Sequence, residues 1–231
     1  ATMHMTTLEA GRLLSAQPVV VGSLIITQRG ADIVASQLAS GTRVWRATIS
    51  EAPGPEGMEG SPILEAPCVA DGRVYAVAPE HQTPAYGADS VEAATALICL
   101  DATEGTELWR RRPAEFGPEH ADVAFDAAPL ATGGQVFVVG RKRRAFGFED
   151  CYLYRLSRAD GSFLSRAHLG SASTGSFGYR RTTFSIPSAD ADLVFVCTNL
   201  GTVAAIREDN GAVAWLRVYP QSPTRTRAGR S

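Results

Sequence analysis

The chain has 231 residues, 45% of them hydrophobic and 20% charged, enough to bury a sizeable core as one domain or a tight pair. With 22 Lys+Arg against 24 Asp+Glu the formal net charge is −2, so no global field draws the protein to nucleic acid or to an anionic membrane. Apolar stretches such as Pro18 to Ile26 are interrupted by Gly22 and Ser23 and fall short of the ~20 residues of a spanning helix, and no signal peptide is visible.

After a lead-in at residues 1–11, short apolar runs separated by turn residues follow one another along the chain. VVVGSLIIT (19–27) reads as two strands about Gly22-Ser23, and LASGTRVWR (38–46) as a second hairpin. The same order recurs in CVADGRVYAVA (68–78) with LDATEGTELWR (100–110), and in LATGGQVFVVG (130–140) with LSRADGSFLSR (156–166). It closes with SADADLVFVCT (188–198) and IREDNGAVAWLR (206–217). The tail QSPTRTRAGRS (221–231) is polar and Arg-rich, without strand signal, and is expected to be a disordered linker. No stretch carries a long 3.6-residue apolar period, so the chain is all-β.

Aligning the second hairpins brings Gly41, Gly105, Gly161 and Gly211 into register. Four residues after each stand Trp45, Trp109, Ser165 and Trp215, and a proline opens each first hairpin at Pro18, Pro67, Pro129 and Pro187. Repeats of ~40–50 residues with about four strands each predict the blades of a β-propeller, each a four-stranded antiparallel sheet. The four blades fall at about 12–50, 62–113, 123–168 and 182–220.

A proline-led strand, a DG turn, a GRVYAVA-like strand and LDATEGTELW together resemble the pyrroloquinoline-quinone-like (PQQ-like) propeller repeat, over residues 12–220. That family contains quinoprotein dehydrogenases and non-enzymatic BamB-type assembly lipoproteins. The resemblance implies that Trp45, Trp109 and Trp215, with Gly41, Gly105, Gly161 and Gly211, dock each blade against its neighbour. Ser165 departs from the pattern. The resemblance also implies an extracytoplasmic, periplasmic or cell-envelope location. The enzymes of the family carry a vicinal cysteine pair, a calcium-ligand set and a catalytic Asp; none of these can be assigned here, so no catalytic residue and no cofactor is expected.

Spacing locates the variable sequence. From each motif glycine to the next proline the interval is 26, 24 and 26 residues, whereas from each proline to its own glycine it is 23, 38, 32 and 24. The extra residues therefore lie between the second and third strands of a blade, in two long loops at 79–95 and 140–150. Because antiparallel strands alternate direction, those loops share an end of the sheet with the blade-to-blade connectors. Candidate binding residues gather there: His81 and Tyr86 from the first loop, Arg141, Lys142, Arg143 and Arg144 from the second, and Glu119, His120, Tyr179, Arg180 and Arg181 from the connectors. Such a basic, aromatic surface would suit a protein or an acidic ligand, against the plainer reading of a solvated basic loop.

A PEH triplet occurs at 79–81 and again at 118–120, but at non-equivalent places in the repeat, and no metal site is expected. Cys68, Cys99, Cys151 and Cys197 are too widely spaced for a metal or redox motif and read as small buried hydrophobes. These features predict a non-catalytic propeller scaffold for binding or assembly, working through the long-loop end. The alternatives are part of a PQQ-dependent quinoprotein dehydrogenase, or a sensor domain fused to a kinase or other effector. Propellers of this repeat usually close with seven or eight blades, so four read as a fragment, half of a dimeric ring or an arc completed by another domain, with a closed four-bladed ring as a further alternative. An open arc would expose apolar end faces that favour self-association.

Overall fold

The structure, a computed structural model, describes residues 17–29, 31–50, 66–83, 92–144, 148–173, 185–198 and 200–219. The first sheet is built from β1 (Val19–Val21), β2 (Leu24–Arg29), β3 (Asp32–Gln37) and β4 (Arg43–Thr48). The second contains β5 (Cys68–Ala70), β6 (Arg73–Thr83), β7 (Glu92–Asp101) and β8 (Glu107–Arg111). The third contains β9 (Val123–Thr132), β10 (Gln135–Arg144), β11 (Phe148–Ser157) and β12 (Phe163–Ser173). The fourth contains β13 (Ser188–Asp190), β14 (Leu193–Cys197), β15 (Thr202–Arg207) and β16 (Val213–Val218). Within each sheet the strands pair antiparallel in chain order, so each is a four-stranded meander, the blade of a propeller. Two short 3-10 turns, Pro113–Phe116 and Pro118–His120, lie in the connector from the second blade to the third. The turns between first and second strands take the backbone through positive φ at Gly22, at Asp71 and Gly72, at Gly133 and Gly134, and at Ala191.

Side-chain alternation divides each sheet into two apolar faces. In the second blade Val74, Ala76, Ala78, Ile98 and Leu100 pack on Ile26, Ile33, Ala35 and Trp45 of the first. Their neighbours Tyr75, Val77, Leu97, Cys99 and Trp109 pack the other way, on Val123, Phe125, Val136, Val138, Tyr152 and Tyr154 of the third. The third blade turns Phe137, Val139, Cys151, Leu153 and Leu169 toward Val194, Val196, Ala204 and Ile206 of the fourth. The core is thus a series of slabs between blades, and both faces of an inner blade are apolar.

The motif glycine and tryptophan form the joint between slabs. Gly105 has φ +74°, and a Cβ there would lie 2.5 Å from the Trp45 ring. Gly161, at φ +73°, is covered in the same way by Trp109, at 2.8 Å. The indole N–H of Trp45 donates to the Ala102 carbonyl at 3.0 Å, and that of Trp109 reaches the Arg158 carbonyl at 3.4 Å. Each indole therefore lies flat on the turn of the next blade, which must be glycine both for its left-handed backbone and for the missing Cβ.

The third blade solves the same problem with different atoms. Strand pairing places Ala35 beside Trp45, Cys99 beside Trp109 and Ala205 beside Trp215, so a small residue underlies each indole. The equivalent pair in the third blade is Arg155 and Ser165. A Cβ on Gly211 would meet the Ser165 hydroxyl at 2.4 Å and the Arg155 guanidinium at 3.1 Å. Arg155 thus fills the volume that the absent indole leaves, and the joint to the fourth blade is kept.

The cysteines are free thiols. Burial pushes Cys99 up to about 11 and Cys151 up to about 12, which makes them inert packing groups. Cys197 is exposed, contrary to the expectation for all four, because it lies on the outward face of the last blade.

Two stability measurements test the joint. Gly105→Ala should lose at least about 2 kcal/mol in chemical denaturation, from left-handed strain plus overpacking of the indole. Gly41→Ala, with nearly the same φ of +70° but open space around its Cβ, should lose only about 1 kcal/mol. In the third blade Ser165→Trp should destabilise alone, and addition of Arg155→Ala should restore it, with a coupling energy of about 1–3 kcal/mol.

Candidate functional site

Among the described residues, part of the extra sequence of the second and third blades is strand rather than loop. It lengthens strands: β6 reaches Thr83 and β7 begins at Glu92, while β10 reaches Arg144 and β11 begins at Phe148. The β10–β11 ladder pairs without interruption from Gln135 with Ser157 to Arg144 with Phe148. Backbone and side-chain contacts place these hairpin ends beside the connectors. Ile49 N–H donates to the Ala31 carbonyl and Tyr219 N–H to the Gly201 carbonyl, both at the equivalent end of other blades.

Strand geometry disperses the basic run. Lys142 and Arg144 share the face of Tyr152 and Tyr154, toward the second blade, whereas Arg141 and Arg143 share the face of Cys151 and Leu153, toward the fourth. Carboxylates meet them on both sides. Arg141 pairs with Asp126 and, at 2.8 Å, with Glu149; Lys142 pairs with Asp122 at 3.1 Å; Arg144 pairs with Asp150. The loop reading of this segment expected four cations to converge, but a strand can present at most alternate residues on one side. Arg143 is exposed near the tip, next to the exposed Phe148.

Asp150 is the hub of the inner side. Burial pushes its carboxyl up, but hydrogen bonds from Ser171 at 2.6 Å, from Arg144 and from Tyr152 at 3.1 Å outweigh this and hold it below the ordinary carboxylate value. Ser171 spends its hydroxyl proton on Asp150 and accepts from His168 at 3.0 Å. That polarity leaves Ser171 without an activating base, so the trio is structural rather than nucleophilic.

His120 anchors the connector. It is 2% exposed, and its ring packs among Phe116, Tyr154 and Phe163. Its Nδ1 faces the Tyr154 hydroxyl at 2.8 Å and Arg166 at 3.2 Å, and its Nε2 faces Glu119 at 3.1 Å. A guanidinium can only donate, so Nδ1 accepts and Nε2 carries the proton, donating it to Glu119. Burial lowers the His120 pKa, and the Arg166 charge lowers it further. The neighbouring Arg166 also lies 4.8 Å from the Tyr152 ring centre, in cation–π contact.

On the second blade Glu80 collects Arg110, at 3.0 Å, and Arg112. Arg110 also donates to the Ile49 carbonyl at 3.0 Å, tying the hairpin to the end of the first blade. The two PEH triplets differ in structure, one lying on β6 and the other forming a 3-10 turn. Among the described residues no group of three or more His, Cys, Asp or Glu is arranged to hold a metal. Tyr86, Tyr179, Arg180 and Arg181 lie outside the described residues, as does the side chain of His81. Sequence reasoning missed Tyr152, Tyr154, Asp150, Arg166 and Ser171, since strand alternation alone signals only burial at most of these positions.

Four-stranded meanders joined by indole-on-glycine contacts define a β-propeller protein of the PQQ-like repeat class. The chain belongs to the family described as outer membrane protein assembly factor BamB, whose model matches residues 6–92 and 85–230. No curated protein matches the sequence. A europium-containing methanol dehydrogenase is similar in structure at 17% identity and a TM-score of 0.59, over 86% of this chain and 40% of that one. The quinohemoprotein alcohol dehydrogenase from Comamonas testosteroni gives 17% identity and a TM-score of 0.59, over 90% of this chain and 35% of that one. The quinohemoprotein alcohol dehydrogenase ADHIIG from Pseudomonas putida HK5 gives 11% and 0.57, over 87% and 34%. The chain spans two fifths or less of the length of these enzymes, and the likeness is one of fold. Among the described residues no helix is long and apolar enough to cross a membrane.

The acid–base state of His120 gives a measurable consequence. The folded state holds this imidazole neutral, whereas the unfolded chain takes up its proton near the ordinary value of about 6.5. Its stabilisation is therefore present above that value and is lost as pH falls below it. The unfolding temperature of the wild type should fall as pH drops from about 7.5 to about 5.5, and His120→Gln should flatten that decline.

Proposed function

We propose that the chain is a non-catalytic propeller scaffold that binds a protein partner through the end carrying the long hairpins of the second and third blades, in an extracytoplasmic compartment. The observation that carries this reading is the third-blade hairpin. Its buried charges are matched internally, while Phe148, 48% exposed, and the exposed Arg143 stand near its tip. A stiff ladder with an apolar residue and guanidinium groups at its end suits recognition of another protein, where aromatic and arginine side chains supply anchors. An acidic small ligand would instead have to compete with Asp126, Glu149, Asp122 and Asp150 for the same cations.

The enzyme reading draws on the fold shared with the dehydrogenases. Pyrroloquinoline quinone is a flat tricarboxylate that needs unpaired cations and a dry slot. Arg141, Lys142 and Arg144 already serve protein carboxylates, which weighs against these three as its donors. The reading of a sensor domain fused to a kinase or other effector concerns sequence beyond this chain.

Affinity capture from a cell-envelope extract tests the scaffold reading. A partner retained by the wild type should be lost with Phe148→Asp and kept with Glu104→Gln, which lies in a turn at the opposite end of the sheets. Equal capture by both variants would show that the hairpin tip is not the binding end.

A further inference from the structure

Among the described residues the repeat leaves two halves of one interface unpaired. Each inner joint consists of an outgoing face with a tryptophan and an incoming face with a positive-φ glycine, as in Trp45 on Gly105 and Trp109 on Gly161. The fourth blade carries the complete outgoing face. Phe195, Cys197 and Trp215 occupy the positions that Tyr75, Val77 and Trp109 hold in the second blade, by the strand pairing Phe195–Ala205–Trp215 and Tyr75–Cys99–Trp109. Yet Trp215 is 38% exposed, against 8% and 7% for Trp45 and Trp109, and it contacts only Phe195 of its own sheet among aromatic rings of the described residues.

The first blade carries the matching incoming face. Ile25 and Val34 occupy the positions of Val74 and Ile98, which are fully buried in the second blade, but here both are only half-buried. Gly41 has φ +70°, within a few degrees of Gly105 and Gly161, and among the described residues nothing lies within 4 Å of where its Cβ would be. Among the described residues a knob without a slot and a slot without a knob therefore lie on the last and first blades, each built to the dimensions of a joint the molecule makes twice internally.

We propose that these ends mate between copies, Trp215 of one chain docking on the Gly41 turn of a second in the geometry of Trp45 on Gly105. The contact is heterologous, so copies join head to tail and either close a ring or extend. Its chemistry is that of the inner slabs: an indole on a bare left-handed turn, flanked by β-branched and aromatic side chains. This self-association goes beyond the partner-binding reading and stands or falls separately, since it uses neither long hairpin.

Sedimentation of the full 231-residue chain from about 1 to about 100 μM tests the proposal, with two variants that each remove one half. Trp215→Ala deletes the knob. Gly41→Asn fills the slot with a residue that tolerates positive φ, so the turn itself is not strained. The wild type should associate with rising concentration, each variant alone should remain monomeric with an unfolding temperature close to wild type, and an equimolar mixture should form a one-to-one heterodimer. A wild type that stays monomeric would overturn the proposal. So would a Gly41→Asn protein that still associates, which is the mark of like-to-like pairing through Trp215, or a mixture that stays monomeric.

Discussion

An indole lying on a glycine turn is the contact through which one sheet fixes the position of the next. The contact has two requirements. The turn must pass through φ near +70°, and the space above its α-carbon must be empty, so that a flat ring can lie within van der Waals distance of backbone. Once the ring is in place its N–H reaches a carbonyl just before the turn, which sets direction as well as distance. The slabs of Ile26, Val74 and Ile98, or of Tyr75, Val138 and Tyr154, fill the space that this joint defines. Because each blade gives a tryptophan forward and offers a glycine backward, the joint also makes the arc polar.

The joint fixes how extra sequence is accommodated. Sheets locked along one end by indole contacts can grow only at the other, and there the added residues extend the ladder. Extension carries charged residues into positions that flank both neighbouring blades, where lone charges would be costly. The third blade meets this cost by pairing across and between strands: Arg141 with Asp126 and Glu149, Lys142 with Asp122, Arg144 with Asp150. The same pressure accounts for His120, whose two nitrogens are both committed and whose ring is buried as its neutral tautomer.

The repeat was legible in the sequence because it depends on residue types with few substitutes. Glycine at positive φ and tryptophan at a fixed distance after it recur at constant spacing, and the turn dipeptides bracket the strands as the structure has them. The site was less legible. RKRR reads as a loop because basic residues favour solvent, yet its cross-strand partners Glu149 and Asp150 come from ten or fewer residues ahead and needed only the assumption of a longer hairpin. Asp126, on β9, and Asp122, in the turn before it, left no local signal. Nor did Arg166, which becomes a partner of His120 only through the packing of β12 on the connector.

Ser165 shows most clearly why a motif and a joint are different things. By residue type it breaks the pattern; by volume it does not, because Arg155 on the adjacent strand supplies the planar group that reaches Gly211. A guanidinium is planar and tolerates apolar contact along its stem, so it can lie where an indole lies, provided the opposite position gives up its bulk. What the fold constrains is the pair, one large flat group and one small residue, whichever strand contributes which. In the first two blades the large member comes from the fourth strand, in the third blade from the third strand. The fourth blade returns to the first arrangement, with Trp215 over Ala205, keeping an outgoing face of the common type on a blade whose outgoing side meets no other described sheet. In a nearest-neighbour solenoid a terminal repeat is ordinarily capped by polar residues. Among the described residues this face keeps its docking pair in the form the inner blades have.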